Sequence, residues 1–370
     1  MRVGINATIL DDRPSGLGNF TRQVINHMAP LLDDYVVFAS CFEGLGIPAG
    51  NLYRVSQAVS PSLGRRGHLA RWSWLQFALP GIMRKEHVDL LLSTVPEGVV
   101  SRGVKQVIVV HDLSPLVFPD IYPRLHHYFR FVVPRLLRDA THVVCDSEFT
   151  RNEVSRCYGI GANKMKVVYA ASCLSGKPSS DPNRVKYRYG LEDFMLCVAS
   201  ELSPRKRIPY VLEALASFLR RPETPALVIV GKKDPRALPK LDAIIRKEQI
   251  AHKVHLLGYV PDGDLPDLYA SARLLLYSSI YEGFGLPILD AMACGTPVVT
   301  FNASCLPEIA ADAAATVPPD DPENLVLTIE KVLSEPSYAM TLVKRGFERV
   351  KDFSWKKSAR HLIEIISALR

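Results

Sequence analysis

The sequence predicts a protein of two α/β domains, each built on a parallel sheet with helices on its faces. The chain has 370 residues, which is roughly twice the ~150 residues of a typical domain. Short β-branched runs alternate with longer amphipathic segments in both halves, the pattern of strands joined by crossover helices. Between the halves, residues 171–190 are rich in Ser, Pro and Gly, as a linker is. We therefore predict one domain over 1–180 and a second that begins at 181.

Ten strands are predicted from the β-branched runs. They lie at 2–6, 35–39, 89–92, 106–110 and 142–145 in the first half, and at 194–199, 226–230, 253–257, 273–278 and 297–300 in the second. Open parallel sheets bind ligands outside the carboxyl ends of their strands. Two facing domains of this kind would hold a ligand in a deep cleft between them, so the loops that follow the strands are the candidate sites.

The composition argues against several classes of protein. Seven scattered cysteines without a C-x-x-C pair argue against a disulfide framework or a zinc site. No apolar run approaches the ~18 residues of a spanning helix, and the first residues lack a signal-peptide pattern, so we expect a cytoplasmic protein. The net charge is +7, with 19 Lys and Arg against 14 Asp and Glu in residues 1–175. Without a long Lys/Arg block we expect no nucleic-acid partner, whereas an anionic substrate or membrane surface suits this charge.

The segment 273–300 carries the strongest signal for a binding site. An apolar strand is followed by a Glu-Gly-Phe-Gly turn, by Pro287 at the start of a helix, and then by Gly295 and another strand. Proline suits the first helical turn because its missing N–H has no intrahelical partner there. The positive end of this helix would gather four backbone amides into an anion site that suits a phosphate. The four amides belong to Gly283, Phe284, Gly285 and Leu286.

Two acids flank this helix start, Glu282 in the turn and Asp290 eight positions later. A carboxylate can accept hydrogen bonds from both hydroxyls of a cis-diol. Asp290 is therefore a candidate partner for a ribose, and Glu282 for sugar hydroxyls beside the phosphate. The ordinary alternative is a helix N-terminus with a surface acid near it, which is common.

Residues 282–299, EGFGLPILDAMACGTPVV, resemble the signature of the family 4 retaining glycosyltransferases, also called glycosyl transferases group 1. That family has two glutamates at this spacing, and Asp290 stands here for the second one. The resemblance implies the GT-B fold, in which two Rossmann-like domains face each other across a deep cleft. It also implies an acceptor domain over 1–180, a nucleotide-sugar donor domain over 181–353, and a terminal helix over 354–370 that returns to the first domain.

A second stretch, VASELSPRKRI at 198–208, resembles the family's loop that brings an Arg and a Lys to the donor diphosphate. Lys206 matches the Lys, Glu201 replaces the usual Arg, and Arg205 is the candidate helper. Two cations suit a departing nucleoside diphosphate because negative charge accumulates on it in the transition state. The alternative is an ordinary solvated loop.

In the first half, QVIVVHDLS at 106–114 resembles the family's HDL motif. The resemblance implies that His111 lies against the donor sugar and that Asp112 belongs to the donor site. A lone histidine is more often a satisfied core or surface residue. Downstream, 141–154 resembles the family's strand followed by a Ser-Glu-Phe helix start, where Ser147 is a candidate helix cap.

A glycine-rich stretch, SGLGN at 15–19, precedes a helix predicted at 19–32. It resembles the family's loop that approaches the phosphates and the acceptor, which makes Gly16 and Gly18 candidate donor-binding residues. The alternative is a tight strand-to-helix turn. A dinucleotide fingerprint would need a glycine in place of Thr21, which argues against a nicotinamide oxidoreductase.

The remaining site residues also follow from the resemblance. Residues 256–260 resemble the segment that flanks the base, and its candidates are Tyr259 and Val260. His111 and Glu282 are the expected catalytic residues, because they would position the sugar and stabilise its oxocarbenium-like charge.

By resemblance, the reaction transfers a sugar from a nucleoside diphosphate to a hydroxyl of a saccharide or lipid-linked acceptor, with retention at the anomeric carbon. The product would belong to a surface polysaccharide such as lipopolysaccharide. We expect GDP-mannose as the donor, with UDP- or dTDP-sugars as alternatives. No metal and no cofactor besides the donor is expected, because cationic side chains and helix amides can neutralise the diphosphate. A non-catalytic protein of this fold that binds sugar nucleotides or glycans is the alternative from another class.

Two stretches of the first half, 62–77 and 122–138, mix arginines with aromatic residues. Such segments could contact an anionic membrane surface or a lipid-linked saccharide, which would place the protein at the inner membrane face. The alternative is a pair of amphipathic helices whose apolar sides belong to the core. The residues that stand out in the first stretch are Arg65, Arg66, Arg71, Trp72, Trp74 and Phe77.

Overall fold

The computed structural model describes residues 1–12, 16–172, 174, 181, 183–232, 235 and 237–369. The chain divides into two compact units, one of Met1–Ala170 with Ser354–Arg370 and the other of Ala171–Phe353. This division falls ahead of the boundary expected after residue 180. Eight of the twenty residues of the predicted linker, 173, 175–180 and 182, lie outside the described residues.

The N-terminal unit contains a seven-stranded sheet in the order β3-β2-β1-β4-β5-β6-β7, and every neighbouring pair is parallel. Its strands are β1 (Val3–Asn6), β2 (Tyr35–Ala39), β3 (Leu52–Arg54), β4 (Leu90–Ser93), β5 (Gln106–Val110), β6 (His142–Cys145) and β7 (Met165–Val167). Five of these strands were predicted. The two edge strands, β3 and β7, were missed because each has three residues and is partly exposed, so neither forms an apolar run.

The helices of the N-terminal unit include α1 to α7. They are α1 (Gly16–Met28), α2 (Gly64–Ser73), α3 (Leu79–Lys85), α4 (Ser114–Val117), α5 (Pro123–Phe131), α6 (Val133–Asp139) and α7 (Glu148–Tyr158). A single π-helical turn joins α2 to α3, so residues 64–85 form one helical segment. Helix α1 ends at Met28, before Pro30, whose ring and missing N–H disfavour a further α-helical turn; Pro30 lies in a 3-10 turn. The predicted cap of α7 is confirmed, since Ser147 Oγ accepts a hydrogen bond from the Thr150 amide at 3.0 Å.

The C-terminal unit contains a six-stranded sheet in the order β10-β9-β8-β11-β12-β13, again with every pair parallel. Its strands are β8 (Phe194–Glu201), β9 (Ala226–Lys232), β10 (Val254–Gly258), β11 (Leu275–Tyr277), β12 (Val298–Phe301) and β13 (Ala315–Val317). Its helices are α8 (Asn183–Tyr189), α9 (Ile208–Ala214), α10 (Ala216–Leu219), α11 (Leu238–Lys247), α12 (Leu265–Ser271), α13 (Leu286–Ala293), α14 (Leu306–Ala310), α15 (Pro322–Ser334) and α16 (Pro336–Val350). Only the three-residue edge strand β13 had not been predicted.

The last helix, α17 (Trp355–Ser367), belongs to the N-terminal unit and packs against α1. The rings of Phe20 and Trp355 meet edge to face with centroids 5.5 Å apart. Ser358 Oγ donates a hydrogen bond to the Tyr169 carbonyl at 2.6 Å. These contacts bind the end of the chain to its first helix.

Strands β1, β2 and β5 of the first sheet and β12 of the second are buried along their whole length. In a parallel sheet the strands are joined by crossover helices, and these helices cover both faces of the sheet. The chemistry of such a sheet is therefore confined to the loops at its strand ends. Among the described residues, no helix is both long enough and apolar enough to cross a membrane.

Candidate active site

In the C-terminal unit, Glu282, Arg205 and Lys206 form a buried charge cluster. Strands β8 and β11 are neighbours in the sheet, so the loops after their carboxyl ends lie side by side. One loop carries the 3-10 turn Pro204–Lys206 and the other carries Glu282. Arg205 Nη1 lies 2.8 Å from Glu282 Oε2, and Lys206 Nζ pairs with Glu282 Oε1. None of the three residues is more than 9% exposed.

Backbone contacts hold the two loops together around this cluster. Ser278 Oγ donates to the Lys206 carbonyl at 2.8 Å, and Arg205 Nη1 donates to the Tyr281 carbonyl at 2.9 Å. The hydroxyl of Tyr277, at the end of β11, accepts a hydrogen bond from Lys206 Nζ at 3.1 Å. The cations therefore have a defined geometry before any ligand binds, which lowers the entropic cost of binding.

The cluster carries two positive charges against one negative charge. Burial alone would raise the pKa of Glu282, but Lys206 and Arg205 outweigh it and lower that pKa to about 2. Burial lowers the pKa of Lys206, while Glu282 beside it favours the charged ammonium. The excess positive charge in a site of low dielectric constant suits an anionic group such as a phosphate.

Helix α13 begins directly after this cluster. Its cap residue, Gly285, has φ +94°, which side chains with a Cβ rarely adopt. A Cβ at this position would also lie 2.9 Å from Leu306 Cδ2. Phe284 is buried and its ring meets that of Phe353 edge to face at 5.7 Å. The predicted Gly283–Leu286 turn thus presents its backbone at the positive end of a helix.

Asp290 lies one turn further along α13. Its carboxylate is 9% exposed, and Oδ1 accepts a hydrogen bond from Ser172 Oγ at 2.6 Å. Asp290 is therefore a buried, hydrogen-bonded carboxylate and not a solvated surface acid. At the carboxyl end of β10, Tyr259 is 63% exposed and Val260 is buried.

In the N-terminal unit, His111 follows β5 and is held on both ring nitrogens. Nδ1 lies 2.9 Å from Asp146 Oδ2, and Nε2 lies 2.8 Å from the Thr94 carbonyl oxygen. The Phe20 ring packs against the imidazole at 4.6 Å. The next residue, Asp112, accepts a hydrogen bond from the Ser114 amide at 2.8 Å at the start of α4. His111 is thus a fixed group at the carboxyl edge of this sheet.

The predicted position of Gly16 and Gly18, in a loop before the first helix, is wrong. They lie in the first turn of α1 and not in a loop before it, since the helix begins at Gly16. The reason is the apolar face of α1, which includes Phe20 and Val24 and stays buried along the helix. The tertiary packing of that face outweighs the low helix propensity of glycine.

Residues 14–171 match the family described as Glycosyltransferase Family 4, and residues 179–349 match that described as Glycosyl transferases group 1. The O-antigen chain mannosyltransferase B of Escherichia coli is 31% identical over 272 residues, which cover 72% of this chain and 71% of that protein. The chain belongs to the group 1 glycosyltransferases.

Solved structures share the fold of this glycosyltransferase. Sucrose-phosphate synthase from Thermosynechococcus elongatus has a TM-score of 0.79 at 19% identity, covering 100% of this chain and 98% of that one. Anabaena Alr3699/HepE in complex with UDP-glucose has a TM-score of 0.76 at 19% identity, covering 100% of both chains. The predicted GT-B class of two parallel-sheet α/β domains is confirmed.

Sequence reasoning missed several polar partners in this glycosyltransferase. Asp146 holds His111, Ser172 holds Asp290, and the Ser304 hydroxyl accepts from the Glu282 amide at 3.1 Å. For Asp146 one signal was present, because an acid directly follows the buried strand β6. The two serines carry no comparable signal. Glu201, the predicted departure from the family's arginine, ends β8, and its side chain lies outside the described residues.

Proposed function

We propose that this glycosyltransferase moves mannose from GDP-mannose to a hydroxyl of a saccharide or lipid-linked acceptor, with retention at the anomeric carbon and without a metal ion. The observation that carries the proposal is the buried cluster of Arg205, Lys206 and Glu282 at the start of α13. It combines surplus positive charge with a helix N-terminus, as the diphosphate of a sugar nucleotide requires.

Each member of the cluster has a distinct part in the proposed reaction. Lys206 and Arg205 stabilise the negative charge that develops on the leaving diphosphate, which is the work a divalent cation does in other enzymes. Glu282 positions the sugar hydroxyls beside the breaking bond. Because Glu282 is ionised and fixed by two cations, it accepts hydrogen bonds and carries no proton to donate.

The nucleoside end of the donor is assigned to α13 and β10. Asp290 binds the ribose hydroxyls with its carboxylate, and the exposed ring of Tyr259 lies where a base can stack at the end of β10. We assign His111 and Asp112 to the donor sugar on the resemblance of the HDL motif. The E. coli relative is named an O-antigen chain mannosyltransferase, which supports mannose as the sugar and a surface polysaccharide as the product.

The donor is tested by thermal unfolding with GDP, UDP, dTDP, ADP and NAD, followed by hydrolysis and transfer assays with the matching sugar nucleotides. A ligand at ~100-fold its Kd adds about 2.7 kcal/mol of stability. We expect GDP to stabilise the protein and GDP-mannose to be consumed, in EDTA as well as in Mg²⁺. If only UDP or only dTDP stabilises the protein, the donor is the corresponding UDP- or dTDP-sugar and not GDP-mannose. Binding of a sugar nucleotide without turnover would support the non-catalytic alternative.

A matched pair of variants tests the diphosphate site itself. Lys206→Ala should weaken GDP binding ~10-fold or more, because it removes a charge-assisted contact in a buried site. Lys240→Ala removes an exposed lysine of α11 and should leave binding unchanged. Equal affinity of the two variants would place the diphosphate elsewhere.

We also propose that the N-terminal unit contacts an anionic membrane surface from the cytoplasmic side. Residues 61–85 and 121–138 contain no Asp or Glu. The two segments adjoin, since the His68 and Tyr128 rings meet edge to face at 5.5 Å. The surface carries exposed cations and four large apolar side chains that are more than half exposed, which favour a lipid interface. These residues are Arg65, Arg66, Arg124, Arg130, Arg135, Arg138, Leu63, Leu69, Phe77 and Phe131.

Part of this basic and aromatic stretch is nevertheless internal. Arg71 is buried and pairs with Glu97 through two nitrogens, at 2.5 and 2.9 Å, and Trp74 packs against Phe38. In a flotation assay, we expect the protein to float with vesicles that contain anionic lipid. We expect it not to float with neutral vesicles. The double variant Phe77→Ser with Phe131→Ser should bind the anionic vesicles less. If the wild-type protein binds neither kind of vesicle, this surface has no role at a membrane.

A further inference from the structure

The pairing of His111 with Asp146 follows from the register of the N-terminal sheet. Val110 and Cys145 are partners at the ends of β5 and β6. The next residue of each strand is His111 or Asp146, so the two side chains meet just beyond the paired backbone, with Nδ1 and Oδ2 2.9 Å apart. Asp146 is 4% exposed, and its position is thus set by the sheet and not by a free loop.

The hydrogen bonds of the ring determine where its protons lie. A backbone carbonyl can only accept, so Nε2 must carry a hydrogen toward Thr94, 2.8 Å away. A neutral imidazole with its proton on Nε2 would turn a bare Nδ1 toward a carboxylate. One more proton must therefore lie between Nδ1 and Asp146 Oδ2. The ring has no lone pair to offer a substrate and cannot act as a general base in this arrangement.

The surroundings favour that second proton on the pair. Burial would lower the pKa of His111, but the hydrogen bond and charge of Asp146 outweigh it and the pKa is raised above its ordinary value. Burial likewise raises the pKa of Asp146. The other charged group that acts on the ring is Asp112, while Phe20 of α1 contributes an apolar face.

The second oxygen of Asp146 adds an energetic argument. Oδ1 is buried without a hydrogen-bond partner among the described residues. A buried carboxylate with an unsatisfied oxygen is costly unless a neighbouring cation compensates its charge. His111 in its cationic form provides that compensation, so each member of the pair stabilises the charged state of the other.

We infer that Asp146 is a positioning residue for glycosyl transfer, which fixes the His111 ring and keeps it doubly protonated, so that His111 acts as a stationary cation at the donor and not as a proton acceptor. The inference rests on the proposed function through the placement of His111 at the donor sugar. It involves no proton transfer, and it replaces the role expected from the sequence: a cationic His111 does not stabilise the oxocarbenium-like charge of the sugar but stabilises negative charge on the leaving group through electrostatics.

The test compares Asp146→Asn with the wild-type protein in kcat/KM over pH 6–9. The amide keeps the size of the side chain but removes the charge, so the raised pKa of His111 is lost. We expect wild-type activity to hold through neutral pH and to fall only at alkaline pH. In Asp146→Asn the alkaline fall should begin at lower pH, with a loss of ~100-fold at pH 8 and a smaller loss at pH 6. If Asp146→Asn lowers kcat/KM by the same factor at every pH, Asp146 has only a structural role and the inference is overturned.

Nuclear magnetic resonance of the histidine ring nitrogens separates this inference from the proposed function. With the His111 signal assigned by its loss in His111→Gln, both ring nitrogens should be protonated at pH 7.5 in the wild type, and one should be deprotonated in Asp146→Asn. This result does not depend on a correct donor. A neutral His111 in the wild type overturns the inference even if transfer is observed, whereas a protonated His111 in a protein that transfers no sugar overturns the proposed function.

Two further variants control for folding and for coupling. Asp139→Asn makes the same chemical change at the end of α6, outside the site, and should leave the pH profile unchanged. The double variant of His111→Gln with Asp146→Asn should lose no more activity than His111→Gln alone, because Asp146 acts through His111. Additive losses would show that Asp146 contributes by another route.

Discussion

The Asp290 carboxylate accepts a hydrogen bond from the Ser172 hydroxyl at 2.6 Å. Ser172 comes two residues after Ala170, where the N-terminal unit gives way to the C-terminal one. The carboxylate assigned to the ribose is therefore oriented by the segment with which its own unit begins.

Asp290→Ala is expected to weaken GDP binding ~10-fold or more, because the ribose loses a charged acceptor. Ser172→Ala should cause a smaller loss, since the carboxylate keeps its charge and loses only its fixed orientation. Isothermal titration with GDP measures both. If Asp290→Ala binds GDP as tightly as the wild type, the ribose lies elsewhere.

Glu282→Gln is expected to reduce turnover ~100-fold or more while nucleotide binding survives, since the substitution removes a contact with the sugar and leaves both cations in place. Steady-state transfer and GDP titration give the two values. Glu323→Gln, an exposed glutamate in the first turn of α15, is the control. Unchanged turnover in Glu282→Gln would contradict its assignment.

Gly285→Ala is expected to destabilise the protein by about 1–3 kcal/mol, because alanine is strained at φ +94° and its Cβ would lie 2.9 Å from Leu306 Cδ2. Thermal unfolding should show a Tm that is lower by several degrees. Gly263→Ala serves as the control, because a Cβ there would have no neighbour within 4 Å. Equal Tm values for the two variants would show that the turn relaxes without cost.

Acid should destabilise the protein through two buried carboxylates, Glu282 and Glu97. Each has its pKa lowered to about 2 from 4.5, against the opposing effect of burial, Glu282 by Lys206 and Arg205 and Glu97 chiefly by Arg71. A depressed pKa contributes stability that is complete above the unfolded value and is lost as pH falls toward the folded one. Urea unfolding between pH 6 and pH 2 should therefore show a steep loss below about pH 4.5, and Glu97→Gln should flatten it. An unchanged slope in that variant would contradict the prediction.

The sequence predicted the positions of Glu282 and Lys206 better than it predicted their contacts. Both belong to short motifs that end strands, so their place in loops at the carboxyl edge of the sheet followed from the topology of a parallel sheet, whereas their pairing with each other was not predicted. Asp146 and Ser172 are separated in sequence from their partners, His111 and Asp290, by 35 and 118 residues. A single polar residue has no periodicity from which such a contact could be predicted. The placement of Gly16 in a helix was missed for a related reason, since distant packing decided it.

The return of α17 to α1 affects the order in which the molecule can assemble on the ribosome. Residues of the C-terminal unit are continuous in sequence, whereas the N-terminal unit needs Ser354–Arg370 to complete it. Until residues 354–370 have been synthesised, the side of Phe20 that Trp355 covers stays open. The N-terminal unit is therefore completed only after the C-terminal unit has been synthesised, and a nascent chain that stops at residue 353 leaves an apolar face of α1 uncovered.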